Sequence, residues 1–350
     1  MELKELLITW YLKESRDLPW RKTKDPYKIW LSEIILQQTR VDQGLPYYLR
    51  FVNKFPSVGF LSEASEDEVL KNWQGLGYYS RARNLHHTAK YIHRELDGKF
   101  PHSYEEIRKL KGVGPYTAAA IASFAFRLPY AVLDGNVARV LSRVFDVKTA
   151  VNTSKGRREL EELAQACLDE NQPDTYNQAI MELGALICTP NKPSCLICPI
   201  REKCRAFESG NQHLRPIKER KAKPKLRKID YAVIESEEHF IFRKRTENDI
   251  WKGLYDFASL EGEDGVTESA ILKFAERTFP DLKIKEVGAL PAKSYTHLLS
   301  HRRITANFWH LKAEGVLEDS APYESVKKED VHEVAVPRLI HRFLDESKII

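Results

Sequence analysis

The chain has 350 residues, enough for two ordinary domains, and 42% of them are hydrophobic, which excludes wholesale disorder. Its net charge of +5 permits a polyanionic partner without demanding one. No apolar run is long enough to cross a bilayer, and the opening MELKELLITWYLKE reads as an amphipathic helix with no cleavage pattern after it, so a soluble cytoplasmic protein is expected.

Apolar residues recur at three- and four-residue spacing over 2–12, 26–38, 66–73, 82–94, 103–111, 116–126, 136–145, 156–169 and 174–186, which predicts helix after helix. Asp25-Pro26 reads as an N-cap followed by proline in the first turn, and Ser103 with Glu106 as a capping box. From about residue 206 the composition changes. Residues 211–228 carry eight Lys/Arg against one acid and read as a basic linker. Beyond it the period becomes two, with strands expected at 229–236, 239–244, 284–290 and 303–312 and helices at 267–278 and 337–346. The expected architecture is an all-α domain over 1–205, a linker over 206–228 and an α+β domain over 229–350.

Cys188, Cys195, Cys198 and Cys204 follow the spacing C-x6-C-x2-C-x5-C. Four thiolates in so short a loop converge on a metal or a cluster, and spacing alone admits either zinc or iron–sulfur. Cys167 stands apart on an apolar helical face and reads as core.

LKGVGPYT (110–117) lies between two helical patterns. Gly112 and Gly114 there allow either an ordinary turn or a close backbone approach that offers N–H groups to a phosphate. Asp134, in VLDGNVARVL, reads as a helix N-cap and as a carboxylate at the mouth of a site. Glu33 falls on the apolar face of its helix. Burial raises a carboxyl pKa, so such a group is either a salt-bridged structural glutamate or an acid able to donate a proton near neutral pH. One acid and one anion suit cleavage of an N-glycosidic bond, where the leaving base needs a proton and the sugar becomes cationic.

LPWRKTKDPYKIWLSEIILQQTRV (18–41), WQGLGYYSRARNLH (73–86), LKGVGPYTAAAIASFAF (110–126), VLDGNVARVL (132–141), NQAIMELGALICTP (177–190) and the cysteine loop together resemble the MutY adenine glycosylases of the endonuclease III superfamily. The resemblance implies a helix-hairpin-helix at about 103–126, a [4Fe–4S] cluster on the four cysteines and a MutT/Nudix-like C-terminal domain. It implies a monomeric base-excision enzyme acting on double-stranded DNA with adenine opposite 8-oxoguanine or guanine. Glu33 then matches the proton-shuttling acid, Asp134 the cation-stabilising carboxylate and Asn136 its water-holding neighbour. Tyr116 stands where lyase members carry a Schiff-base lysine, which implies a monofunctional glycosylase. Arg16, Leu18, Arg21 and Gln178 match the adenine pocket, and Gln38, Thr39 and Tyr78 match residues that wedge the duplex and touch the oxidised guanine.

In the C-terminal domain, ESAILKFAERTF (268–279) lacks the clustered glutamates of a Nudix hydrolase, so recognition without hydrolysis is expected. LLSHRR (298–303) matches the loop that reads 8-oxoguanine through Ser300 and His301, with Leu299 where relatives often have Phe. The competing readings are a thymine-mismatch glycosylase or glycosylase/lyase on the same fold, a non-catalytic DNA-binding protein, and a nucleotide pyrophosphatase.

Overall fold

The computed structural model describes residues 2–220, 224–247, 249–262, 266–299, 302–315, 317, 321–347 and 349. They form two compact units, one of Met1–Ser62 with His87–Arg220 and one of Glu63–His86 with Lys221–Ile350.

In chain order the helices up to residue 208 are α1 Leu3–Glu14, α2 Pro26–Leu36, α3 Val41–Lys54, α4 Val58–Glu63, α5 Glu66–Trp73, α6 Ser80–Glu95, α7 Tyr104–Lys109, α8 Pro115–Phe126, α9 Gly135–Val144, α10 Ser154–Cys167, α11 Pro173–Leu186 and α12 Arg205–Glu208. The start signals read from sequence hold. Asp25 accepts from the Tyr27 N–H at 2.9 Å, and Ser103 and Glu106 close their capping box. Helix α8, PYTAAAIASFAF, is buried from Thr117 to Phe124. Its small side chains let α2, α7 and α11 pack close around it.

Helix α3 is missing from the sequence reading, because Gly44 and Pro46 inside it look like breakers. Gly44 serves packing instead: a Cβ there would stand 2.8 Å from Leu36 Cδ2 on α2.

The second unit holds a seven-stranded mixed sheet. Its strands are β1 Lys225–Ser236, β2 His239–Lys244, β3 Tyr255–Asp256, β4 Ala258–Glu261, β5 Lys283–Leu298, β6 Arg302–Glu314 and β7 Tyr323–Lys327, with helices α13 Glu268–Thr278 and α14 Arg338–Ser347. The main path is β3-β2-β1-β6-β5, with β4 on β1 and β7 on β2. Central β1 pairs parallel with β6 and is buried from Ile229 to Ile234, as a strand covered on both faces must be. On one face Ile234, Ile241 and Leu311 pack with Ile271 and Ala275 of α13. Alternate residues build an aromatic cluster, in which Phe308 stacks on Phe343 of α14 with 3.7 Å between ring centroids.

Strands β3, β4 and β7 were not expected, being too short to show alternation. Strand β5 runs well past residue 290 because two register shifts interrupt its period. The stretch Glu63–His86 belongs to this unit through bonds such as Lys244 Nζ to Asp67 Oδ2 at 2.7 Å and the Tyr79 hydroxyl to the Val336 carbonyl at 3.2 Å.

Candidate active site

Helix α2 is buried along nearly its whole length, and Glu33 lies within it at 6% exposure. Tyr116, the second residue of α8, donates its hydroxyl proton to Glu33 Oε2 at 2.7 Å. Burial pushes the Glu33 carboxyl up to about 7. The Tyr116 bond pulls it down, and the nearby Asp134 charge pushes it further up. This carboxyl holds its proton near neutral pH, as a donor to a leaving group requires.

Asp134 caps α9, accepting from the Val137 N–H at 2.7 Å and from the Asn136 amide at 2.8 Å. Burial raises its carboxyl, while these donors and the Arg139 guanidinium oppose the rise by favouring the anion. The Asn136 amide oxygen in turn accepts from Arg139 Nη2 at 2.8 Å. The loop before α9 thus aims one carboxylate with fixed donors behind it.

Both carboxyls line a cleft with about 170 Å³ of free volume. Arg16, Leu18, Arg21, Tyr116, Asn136 and Gln178 line it too, so the cleft gathers the expected adenine-pocket and catalytic residues, and Thr39 of the expected recognition set joins them. Sequence reasoning missed Trp20, Met181 and Glu182, which share its wall. Glu182 is 1% exposed and accepts from Arg16 Nη2 and Arg21 Nη2, each at 2.7 Å. Burial opposes its charge, but the two arginines hold its carboxyl down at about 2. The signal was present in NQAIMELGAL: Gln178, Met181 and Glu182 fall at i, i+3 and i+4 on one helical face.

Gln38, with φ 59°, lines an adjoining hollow with Gly112, Gly114, Tyr116 and Asp134. Gly112 sits at φ 82°, a conformation that favours glycine. Gly114 is extended, and a Cβ there would meet nothing within 4 Å. Its own packing therefore does not require glycine, and it leaves open the space before the uncapped start of α8. Tyr78 belongs to the other unit, at φ 49° and 42% exposure. Ser300 and His301 lie outside the described residues; beside them the Leu299 N–H donates to the Arg302 carbonyl at 2.8 Å, joining β5 to β6.

Cys188, Cys195, Cys198 and Cys204 all line one small cavity. Arg143 Nη1 stands 3.2 Å from Cys188 Sγ and also donates to the Thr189 carbonyl at 2.8 Å, tying the loop to α9. Burial, with the other thiols beside it, pushes the Cys198 thiol up to about 12. Among the described residues no three His, Cys, Asp or Glu side chains form a group able to hold a metal ion as they stand. The donor set nevertheless fits a soft, cationic group: four cysteines line one cavity, and a positive centre within it would stabilise the thiolates that burial disfavours.

Residues 31–166 match the HhH-GPD superfamily base excision DNA repair proteins, and residues 230–346 match the NUDIX domain. The chain is 32% identical over 356 residues to the adenine DNA glycosylase of Buchnera aphidicola subsp. Schizaphis graminum, with 98% of each chain covered. It is 44% identical over 215 residues to the adenine DNA glycosylase of Homo sapiens, covering 59% of this chain and 39% of that one. Among solved structures, a thermostable thymine-DNA glycosylase aligns with a TM-score of 0.55 and 30% identity over 59% of this chain and 95% of its own. The expected architecture holds: a helical helix-hairpin-helix glycosylase domain followed by a sheet-containing Nudix-like domain. Among the described residues no helix is long and apolar enough to cross a membrane.

Proposed function

The chain belongs to the adenine DNA glycosylase family, and from that premise we infer that it hydrolyses the N-glycosidic bond of adenine mispaired with 8-oxoguanine or guanine in duplex DNA. The observation that carries the reading is the pairing, in one cleft, of a buried acid at about 7 with a capped carboxylate beside it. The adenine leaves the base stack and enters the cleft. Glu33 gives its proton to a ring nitrogen, the C1′–N9 bond breaks with its electron pair passing to the base, and the sugar becomes an oxocarbenium ion. Asp134 stabilises that cation. Water adds at C1′ and its proton returns to a carboxylate. Asn136 holds the water and Asp134 in register.

Tyr116 has no amine, so no Schiff base forms there and the enzyme is monofunctional. Chemistry belongs to residues 1–205, and the oxidised guanine is read by Ser300 and His301 of residues 229–350, with Gln38, Thr39 and Tyr78 of the first 205 residues as further contacts. The four cysteines hold a [4Fe–4S] cluster. When bound, that cluster supplies a fixed scaffold for the basic loop of Lys192, Arg201, Lys203 and Arg205, which meets DNA phosphates.

Single-turnover assays on duplexes with adenine opposite 8-oxoguanine, guanine, cytosine or thymine test this. Adenine release should be fastest opposite 8-oxoguanine, then guanine. Thymine release from a guanine mispair, without adenine release, would favour instead the reading suggested by the 30% identity to a thymine-DNA glycosylase.

A further inference from the structure

Gln178 lies on α11, one helical turn before Glu182, and lines the cleft. Its Oε1 accepts from the Tyr11 hydroxyl at 2.7 Å. Tyr11, on α1, is 8% exposed and supports the wall from behind. Arg21 packs over its ring, with 5.5 Å from guanidinium carbon to centroid.

The Tyr11–Gln178 bond runs from the hydroxyl to the carbonyl oxygen. The Tyr11 hydroxyl carries a single proton, and that proton is directed to Gln178 Oε1. A carboxamide can take a proton only on its oxygen. The Gln178 amide is therefore locked with oxygen toward Tyr11, and its nitrogen bonds to no described residue. Glu182 imposes a similar order on the arginines. It accepts from the Arg16 backbone N–H, Arg16 Nε and Nη2, and Arg21 Nη1 and Nη2. Two guanidinium charges that could otherwise attract an anion are thus held by a buried carboxylate.

We propose that Tyr11 is a specificity-determining positioning residue: by pinning the Gln178 carbonyl it makes that point of the cleft wall a hydrogen-bond donor, which selects a base presenting an unprotonated ring nitrogen there. The proposal rests on the reading of the cleft as an adenine site. Adenine carries three such acceptors, N1, N3 and N7. A base with N–H at the contacted position sets donor against donor. One with C–H there leaves the amide unpaired, and either loss weakens binding.

The test uses Tyr11→Phe, which keeps the ring beneath Arg21 but removes the proton and frees the amide to turn. Binding is measured in a Glu33→Gln background, so that no analogue is cut, on duplexes holding adenine, 1-deazaadenine, 3-deazaadenine or 7-deazaadenine opposite 8-oxoguanine. With Tyr11 present, one deaza analogue should bind about tenfold more weakly than adenine, the effect of one unpaired buried donor. Gln178→Leu should abolish that gap, and Tyr11→Phe should cut it to about threefold or less. A gap unchanged by Tyr11→Phe, or no gap with any analogue, overturns the proposal; equal weakening on all four duplexes assigns Tyr11 a packing role only.

Nitrogen-15 spectra of the side-chain amides supply a readout that needs no DNA. The Gln178 resonances should shift in Tyr11→Phe, and unchanged resonances overturn the lock. If the amide lock is present but adenine duplexes are bound no better than a fully paired control, the adenine reading fails and the positioning by Tyr11 stands.

Discussion

The Tyr116 hydroxyl donates to Glu33 Oε2 at 2.7 Å, and this bond works against burial in setting where the acid gives up its proton. Donation to a carboxyl oxygen favours the charged form, whereas burial favours the neutral one. The balance, about 7, leaves the group protonated over the acidic range and still substantially so at neutral pH. Single-turnover base release should therefore fall as pH rises through about 7. Tyr116→Phe removes only the hydroxyl, so the Glu33 carboxyl should rise further and the falling limb should move to higher pH. A limb that stays in place or moves down would show that Tyr116 does not tune this acid.

Glu33→Gln should abolish base release, a loss of at least about 10²-fold for a general acid, while leaving the duplex bound. Stability supplies an independent check. The folded-state pKa of Glu33 is raised from 4.5 to about 7, so the folded protein binds this proton more tightly than the unfolded chain does. That contribution is fully present below the unfolded value and is lost as pH rises through about 7. At pH 8 the buried charge costs roughly 3 kcal/mol. Urea unfolding at pH 5 and pH 8 should show Glu33→Gln gaining stability relative to the parent mainly at the higher pH. An equal effect at both would mean that Glu33 ionises without penalty.

The parts of the fold legible in sequence were those where local and tertiary signals agree. The capped starts at Asp25 and Ser103, the helix Glu66–Trp73 and the strand His239–Lys244 stand where pattern placed them. Helix α3 was hidden because Gly44 answers to Leu36 across a helix contact, which one-dimensional pattern does not show. Strands β3 and β4 are held by pairing with β2 and β1, not by their own period. In the cleft, Glu33 and Asp134 were readable because a carboxylate on an apolar face and an N-cap are both local signals. Glu182 and Tyr11 were not. Their partners Arg16, Arg21 and Gln178 lie more than 160 residues away in sequence, and only the packing of α1 against α11 brings them together.

The cysteine loop predicts colour and metal content. Protein purified anaerobically should be yellow-brown and hold about four iron atoms, as four-thiolate ligation of a [4Fe–4S] cluster implies. Cys198→Ser should lose colour and DNA affinity together, because the basic loop then lacks its scaffold. Stoichiometric zinc without iron in the native protein would refute the cluster.

Damage reading should separate from chemistry. Adenine is a normal base, so the information must come from its partner, and 8-oxoguanine differs from guanine by a C8 carbonyl and a proton on N7. A hydroxyl can accept from N7–H and an imidazole can donate to the new oxygen. Ser300→Ala with His301→Ala should leave adenine release intact and narrow the preference for A:8-oxoguanine over A:G, by about 1–3 kcal/mol if both bonds are lost. An unchanged ratio of single-turnover efficiencies would move the reading to Gln38, Thr39 and Tyr78.

Asp134 performs two tasks that substitution can separate. As N-cap it accepts from the Val137 N–H at 2.7 Å, and as an anion in the cleft it faces the developing cation. Asparagine retains an oxygen able to cap, so Asp134→Asn should keep stability within a few tenths of a kcal/mol, whereas alanine loses the cap and about 1 kcal/mol. Both lose the charge. If cation stabilisation is the catalytic role, both should depress single-turnover release by a similar factor, about 10² or more. Rates that follow stability, with asparagine near the parent and alanine low, would show that Asp134 matters for holding α9. Equal and deep losses at unequal stabilities would assign it to the oxocarbenium ion.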